Sequence, residues 1–331
     1  MTSDPPRVCV VGAGAVGGMI GARLAASGVP TSALARGATA RALAESGWRL
    51  REGGALVTAP CRVAESAEQL GAQDVVVIAV KGQSLSALAG SLTPLLHPST
   101  LVVAAMNGVP WWFTTGLGGP VEGERLRSVD PGGRIAAVLP PSSVIGCVVH
   151  LSASTAEPGV SVHGAGNLLV LGDAARDDEV RLEPMAARFE RAGFEVSRSP
   201  RIHTDVWFKL WGNLTMNPIS VLTGATMDVI LEDDLVEAYI VSVMHEAAEI
   251  GARIGCPIDQ APADRLALTR RLGGMRTSML QDADAGRTIE LDALVAAVVE
   301  LGELVGVPTP QTSTLLGLTR VAARTRGLYP A

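Results

Sequence analysis

Lys209, Asn213 and Asn217 recur at four-residue intervals within Trp207-Phe208-Lys209-Leu210-Trp211-Gly212-Asn213-Leu214-Thr215-Met216-Asn217-Pro218. At about 100° per residue the three project from one helix face, spread over roughly 80°. A lysine flanked by Trp207, Phe208 and Trp211 is poorly placed for ordinary solvation. Desolvation lowers a lysine's pKa towards the range useful for proton transfer, and two carboxamides beside it suit a substrate carboxylate or carbonyl. The plainer reading is a lysine whose stem covers apolar surface. A second polar cluster is Ser278-Met279-Leu280-Gln281-Asp282, followed by Gly286-Arg287-Thr288-Ile289-Glu290-Leu291-Asp292. Thr288 and Glu290 stand where a helix should begin, a place that equally suits capping.

A third feature names a ligand class. Val8-Cys9-Val10-Val11 runs into Gly12-Ala13-Gly14-Ala15-Val16-Gly17-Gly18 and then a helical pattern closed by Gly28. Gly12 allows a tight turn, Gly14 lets the backbone approach a pyrophosphate, and Gly17 lets the helix pack on the strand. The pyrophosphate would sit at the helix N-terminus. The next strand, Thr31-Ser32-Ala33-Leu34-Ala35, is followed by Arg36, and no Asp or Glu occurs between Asp4 and Glu45. An arginine there, with Arg41 nearby and nothing acidic to repel a 2′-phosphate, favours NADPH over NADH.

These residues need two kinds of scaffold. The first two hundred residues alternate β-rich runs with helical patterns, which predicts an α/β fold with a doubly wound, mostly parallel sheet. Strands are expected at Val8–Val11, Thr31–Leu34, Val75–Val80 and Leu101–Ala105, the third buried on both faces. Val144–Val149 reads as a further strand, Gly159–His163 with Asn167–Leu171 as a hairpin, and Phe194–Val196 as the last strand. From about Ile202 the pattern becomes all-helical, with helices expected at Asp205–Leu222, Glu232–Ile254, Ala263–Leu272, Glu290–Val305 and Thr312–Thr325. The predicted division is therefore 1–201, a Rossmann-type domain with an antiparallel extension, and 202–331, an all-α substrate domain, with substrate expected between them. The long irregular stretch from Asn107 to Pro141, with Trp111-Trp112-Phe113, reads as a flap at the mouth of the cleft or, equally, as a segment whose aromatics only pack.

Taken in order along the chain, the glycine turn, Val80-Lys81, Asn107-Gly108, Lys209-Leu210-x-x-Asn213-x-x-x-Asn217-Pro218 and Ser278-Met279-Leu280-Gln281-Asp282 resemble the ketopantoate reductase (2-dehydropantoate 2-reductase) family. Arg287-Thr288-Ile289-Glu290-Leu291-Asp292 resembles that family's acidic helix start. The resemblance implies that NADPH reduces a 2-oxo acid to a 2-hydroxy acid, with Lys209 as the proton donor and Glu290 contacting both the reacting region and the nicotinamide end. It matches Asn213, Asn217 and Ser278 with substrate positions, Lys81 and Asn107 with cofactor-side positions, Asn107 also with substrate, and Arg36 with the 2′-phosphate. Gly12, Ala13, Gly14, Ala15, Val16 and Gly17 would hold the pyrophosphate. Met227 and Met275 stand where ketopantoate-specific members lead one to expect asparagines, a change that removes hydrogen-bond partners from substrate. The alternatives are the same chemistry on a bulkier 2-oxo acid, ketone or imine, and a non-catalytic NADPH-binding sensor.

Composition narrows the rest. The 331 residues are 47% hydrophobic but only 3% aromatic, so the interior must be built mostly from Ala, Val, Leu and Gly. A net charge of -6 argues against nucleic-acid or anionic-membrane partners. No apolar run reaches a membrane span, and the N-terminus lacks signal-peptide regions. Cys9, Cys61, Cys147 and Cys256 show no metal spacing, so no metal is expected and each thiol suits a small core residue in a reduced, cytoplasmic enzyme. The helical half has apolar surface enough to permit a homodimer.

Overall fold

The run Val75–Ile78 is fully buried and lies in the interior of an eight-stranded sheet, as a strand without polar alternation requires. The computed structural model describes residues 6–175 and 179–330. Contacts divide the chain into two units, one of Met1–Met106 with Gly133–Ile202, the other of Asn107–Gly132 with His203–Ala331.

In the first unit the elements are β1 (Val8–Val11), α1 (Ala15–Ala26), β2 (Thr31–Leu34), α2 (Gly37–Ser46), β3 (Trp48–Glu52), β4 (Ala55–Ala59), β5 (Arg62–Ala64), β6 (Val75–Ile78), α3 (Gly82–Leu88) and β7 (Leu101–Ala104). They continue as α4 (Arg134–Val138), β8 (Val144–His150), β9 (Ala153–Glu157), β10 (Val160–His163), β11 (Leu168–Asp173), α5 (Glu179–Arg191) and β12 (Glu195–Arg198). The large sheet has the order β12-β11-β8-β7-β6-β1-β2-β5. All its neighbours are parallel except β8 and β11. A second sheet, β4-β3-β10-β9, packs on α1. The fit is close because α1 presents glycines: a methyl on Gly18 would strike Ser161 Oγ, and one on Gly21 would strike the ring of Trp48. The expected hairpin is corrected, since β10 pairs with β9 and β3 while β11 pairs with β8 and β12. Gly166, at φ +73 and lying against the His150 carbonyl, turns the chain from one sheet to the other.

The second unit holds α6 (Ile202–Thr223), α7 (Met227–Ile230), α8 (Asp234–Arg253), α9 (Pro262–Arg270), α10 (Ser278–Asp284), a π-helical turn (Asp292–Ala296) running into α11 (Ala297–Val305), and α12 (Pro310–Thr325). Asn107–Gly132, which the expected division at 201/202 had in the first half, belongs here. Of the two readings of this stretch, the structure favours packing for its aromatics. Trp112 and Phe113 are 1% and 0% exposed, the Trp112 ring meets His203 edge-on, and Phe113 stacks on Trp207 at 5.9 Å. These aromatics are core because they pack on the buried face of α6 that carries His203 and Trp207, and such pairs add about 0.5–1.5 kcal/mol each beyond their area.

Candidate active site

Helix α6 is fixed by one face and offers another. Trp207 and Trp211, four residues apart, donate their indole N–H groups to the carbonyls of Ala247 (3.2 Å) and Met244 (2.8 Å) on α8. Lys209 is two residues from Trp207, so it projects about 200° around the helix from that anchored face. There its Nζ donates to Asn107 Oδ1 at 2.8 Å. Lys209 and Asn213 are half-buried and Asn217 is 4% exposed, so the polar face is partly withdrawn from water.

Asn107 is held by its neighbour. Gly108 adopts φ +77 and lies so close to the π-turn that a methyl on it would strike the Ala293 carbonyl. The Val109 N–H donates to that same carbonyl at 2.8 Å. A π-turn widens the helical ladder, and such turns cluster at functional sites. Glu290, half-buried, stands just before this turn, where the Ile289 N–H donates to the Leu328 carbonyl at 3.0 Å. Ser278, exposed, opens α10. Its predecessor Thr277 caps that helix by accepting from the Leu280 N–H, and the Thr277 and Ser220 hydroxyls pair at 2.6 Å. Ser220 in turn donates to the Asn217 carbonyl at 2.7 Å. Two buried hydroxyls thus tie the start of Ser278's helix to the end of α6. Met227 and Met275 meet through their backbones, Met227 N–H to Met275 carbonyl at 3.1 Å.

The expected cofactor residues divide between the units. Gly12, Ala13, Gly14 and Arg36 line one cavity of about 390 Å³ in the first unit. Ala15, Val16 and Gly17 form the first turn of α1, and Lys81 immediately precedes α3. Asn107 and Glu290 belong to the second unit. The glycines can be tested one by one. A methyl on Gly12, at φ +94, would strike Val80, and one on Gly17 would strike the Gly12 carbonyl. Gly14 has an extended backbone that any residue adopts, and a methyl there meets nothing within 4 Å. Space beside Gly14, at the start of α1, fits a pyrophosphate, and this unit is a dinucleotide-binding fold.

Two further descriptions bear on the chain. The family described as "Ketopantoate reductase PanE/ApbA" matches residues 8–111, and that described as "Ketopantoate reductase PanE/ApbA C terminal" matches 201–323. The sequence is 42% identical over 324 residues to a 2-dehydropantoate 2-reductase of Mesorhizobium japonicum, spanning 98% of this chain and 99% of that one. The chain belongs to the ketopantoate reductase family. A crystal structure of a candidate ketopantoate reductase from Ralstonia solanacearum superposes with TM-score 0.95 at 55% identity, covering 98% of this chain and 99% of that chain. The fold extends further, to a D-mandelate dehydrogenase solved with NADH and anilino(oxo)acetate, at TM-score 0.83 and 19% identity over 97% of this chain and 99% of that chain.

Two cavity-lining carboxylates of this ketopantoate reductase family member, Glu65 and Glu68, escaped sequence reading. The Glu65 carboxylate accepts from the Gly37 N–H at 3.1 Å, at the start of α2, and lines the cavity with Arg36 and Glu68. The expectation that nothing acidic stands near Arg36 is therefore corrected. Glu65 immediately follows β5, which pairs parallel to β2 with Leu34 opposite Ala64. That short strand carries no period from which its place beside β2 could be read.

Proposed function

We propose that this chain reduces a 2-oxo acid to the corresponding 2-hydroxy acid with NADPH, the leading pair being ketopantoate and pantoate. The observation that carries the reading is the Lys209 ammonium held by Asn107 on a helix face that also bears Asn213 and Asn217. The Gly12–Gly17 turn, Arg36 and Lys81 would hold NADPH, whose chemistry there would be hydride donation to the carbonyl carbon. Lys209 meets the negative charge that develops on the carbonyl oxygen and gives that oxygen a proton, so C=O becomes CH–OH. An ammonium has three donors, and the Asn107 side-chain oxygen fixes one of them in direction. Asn213, Asn217 and Ser278 orient the acid, and Glu290 supports the reacting end. The 42% identity to a 2-dehydropantoate 2-reductase supports this choice of substrate.

The test is Lys209→Ala. Turnover should fall by at least about a hundredfold while the dissociation constant for NADPH, read from nucleotide fluorescence, stays within about twofold. Near-normal turnover would remove the mechanism. The Met227–Met275 pairing favours a second reading, the same chemistry on a bulkier, more apolar 2-oxo acid. Comparing kcat/KM for ketopantoate with that for larger 2-oxo acids separates the two.

A further inference from the structure

We infer that Glu65 sets the balance between NADPH and NADH by opposing the 2′-phosphate that Arg36 attracts. In dinucleotide-binding folds a carboxylate at the end of the second strand holds the ribose 2′-OH of NADH, and an arginine there accommodates the 2′-phosphate of NADPH. This chain has both groups, delivered by different strands. Arg36 stands two residues beyond β2, immediately before α2, and Ala35 N–H donates to the Ala64 carbonyl at 3.0 Å, which brings Glu65 level with the start of α2. There the carboxylate accepts from the Gly37 N–H at 3.1 Å, the first amide of α2. Arg36, Glu65 and Glu68 line the same cavity as Gly12 and Gly14, so its charged lining is one cation against two carboxylates.

That arrangement acts on the 2′-phosphate twice. A dianion beside Arg36 gains its guanidinium but is repelled by the neighbouring carboxylate. It also competes with Glu65 for the Gly37 N–H, the kind of amide at a helix start that otherwise favours phosphate. A 2′-OH suffers neither penalty, because a carboxylate is a good acceptor for a hydroxyl. The chain therefore discriminates against NADH less than Arg36 alone would make it. This inference rests on the proposed use of NADPH at this turn.

The experiment measures dissociation constants of NADPH and NADH by calorimetry for the wild-type chain, Glu65→Gln and Arg36→Ala, together with those of 2′,5′-ADP and ADP. The glutamine keeps an oxygen for the Gly37 N–H and removes only the charge. In Glu65→Gln the ratio of the NADH to the NADPH dissociation constant should rise about tenfold, and the ADP to 2′,5′-ADP ratio should rise with it. In Arg36→Ala both ratios should fall. If Arg36→Ala weakens NADPH but Glu65→Gln leaves the ratios unchanged or lowers them, the inference about Glu65 is overturned and the cofactor reading stands. If Arg36→Ala changes nothing, or neither nucleotide binds the wild-type chain, the cofactor reading fails and the inference with it.

Discussion

Asn107 offers a handle on Lys209 that leaves the lysine in place. Replacing the carboxamide by a carboxylate, Asn107→Asp, puts an anion at hydrogen-bond distance from the ammonium and favours its charged form. Reduction needs the protonated lysine, so the alkaline limb on which kcat falls should move to higher pH, by about one unit or more. A kcat profile from pH 6 to 10 reads this, and an unmoved limb would separate Lys209 from that titration. At this scale the sequence was legible where spacing along a helix places side chains together, as for Lys209, Asn213 and Asn217. The Lys209 partner lies 102 residues away and the Gly37 partner of Glu65 lies 28 away, at the start of α2. Such contacts depend on which elements become neighbours, and the resemblance placed Asn107 with cofactor and substrate without pairing it to Lys209.

Between elements, the Thr277–Ser220 hydroxyl pair carries the register of α10 against α6. Thr277→Val keeps the side-chain volume but removes the cap on α10 and leaves the buried Ser220 hydroxyl only its bond to the Asn217 carbonyl. The loss should be about 1–2 kcal/mol of stability, measured by denaturation. Because Ser278 and Asn217 adjoin the pair, the substrate KM should rise several-fold with kcat largely kept, and Thr277→Ser should restore both. A loss of stability with KM unchanged would reduce the pair to a structural tie. The long elements were legible: β1, β2 and the long helices α6, α8 and α12 fall near their expected bounds because their apolar runs and periods are strong. β3, β4, β5 and β9 were not read. Their surfaces are mostly half-buried or exposed, Arg49, Arg51 and Glu52 interrupt β3, and β9 is exposed along nearly its whole length. Strand character there comes from neighbours.

Across the whole molecule, no helix among the described residues is long and apolar enough to cross a membrane, and all four cysteines are free thiols. Burial pushes the Cys9 thiol up to about 11 and that of Cys61 to about 12, so neither is a reactive thiolate at neutral pH. Acid should act through Glu300. Its carboxylate accepts from the backbone N–H groups of Arg127 (2.7 Å) and Ser128 (2.9 Å), closing the 107–132 segment onto α11. Burial raises its pKa, but the hydrogen bonds from Ser128 and Arg127 together outweigh that and hold it below the usual 4.5. A depressed carboxylate contributes stability above its unfolded pKa, and that contribution is lost as pH falls through the folded value. Glu300→Gln should therefore lower the melting temperature at pH 7 and flatten its decline towards pH 3. A decline as steep as the wild type's would place the acid sensitivity elsewhere.

The helical unit is not one stretch of chain, because it takes its Trp112 and Phe113 from a segment that precedes the last strands of the first unit. A gene chimera joined at residue 202 would hand His203 and Trp207 to aromatic partners from a different parent. Exchange of the helical half between relatives therefore requires three crossovers, at 106/107, 132/133 and 202/203, so that residues 107–132 travel with it.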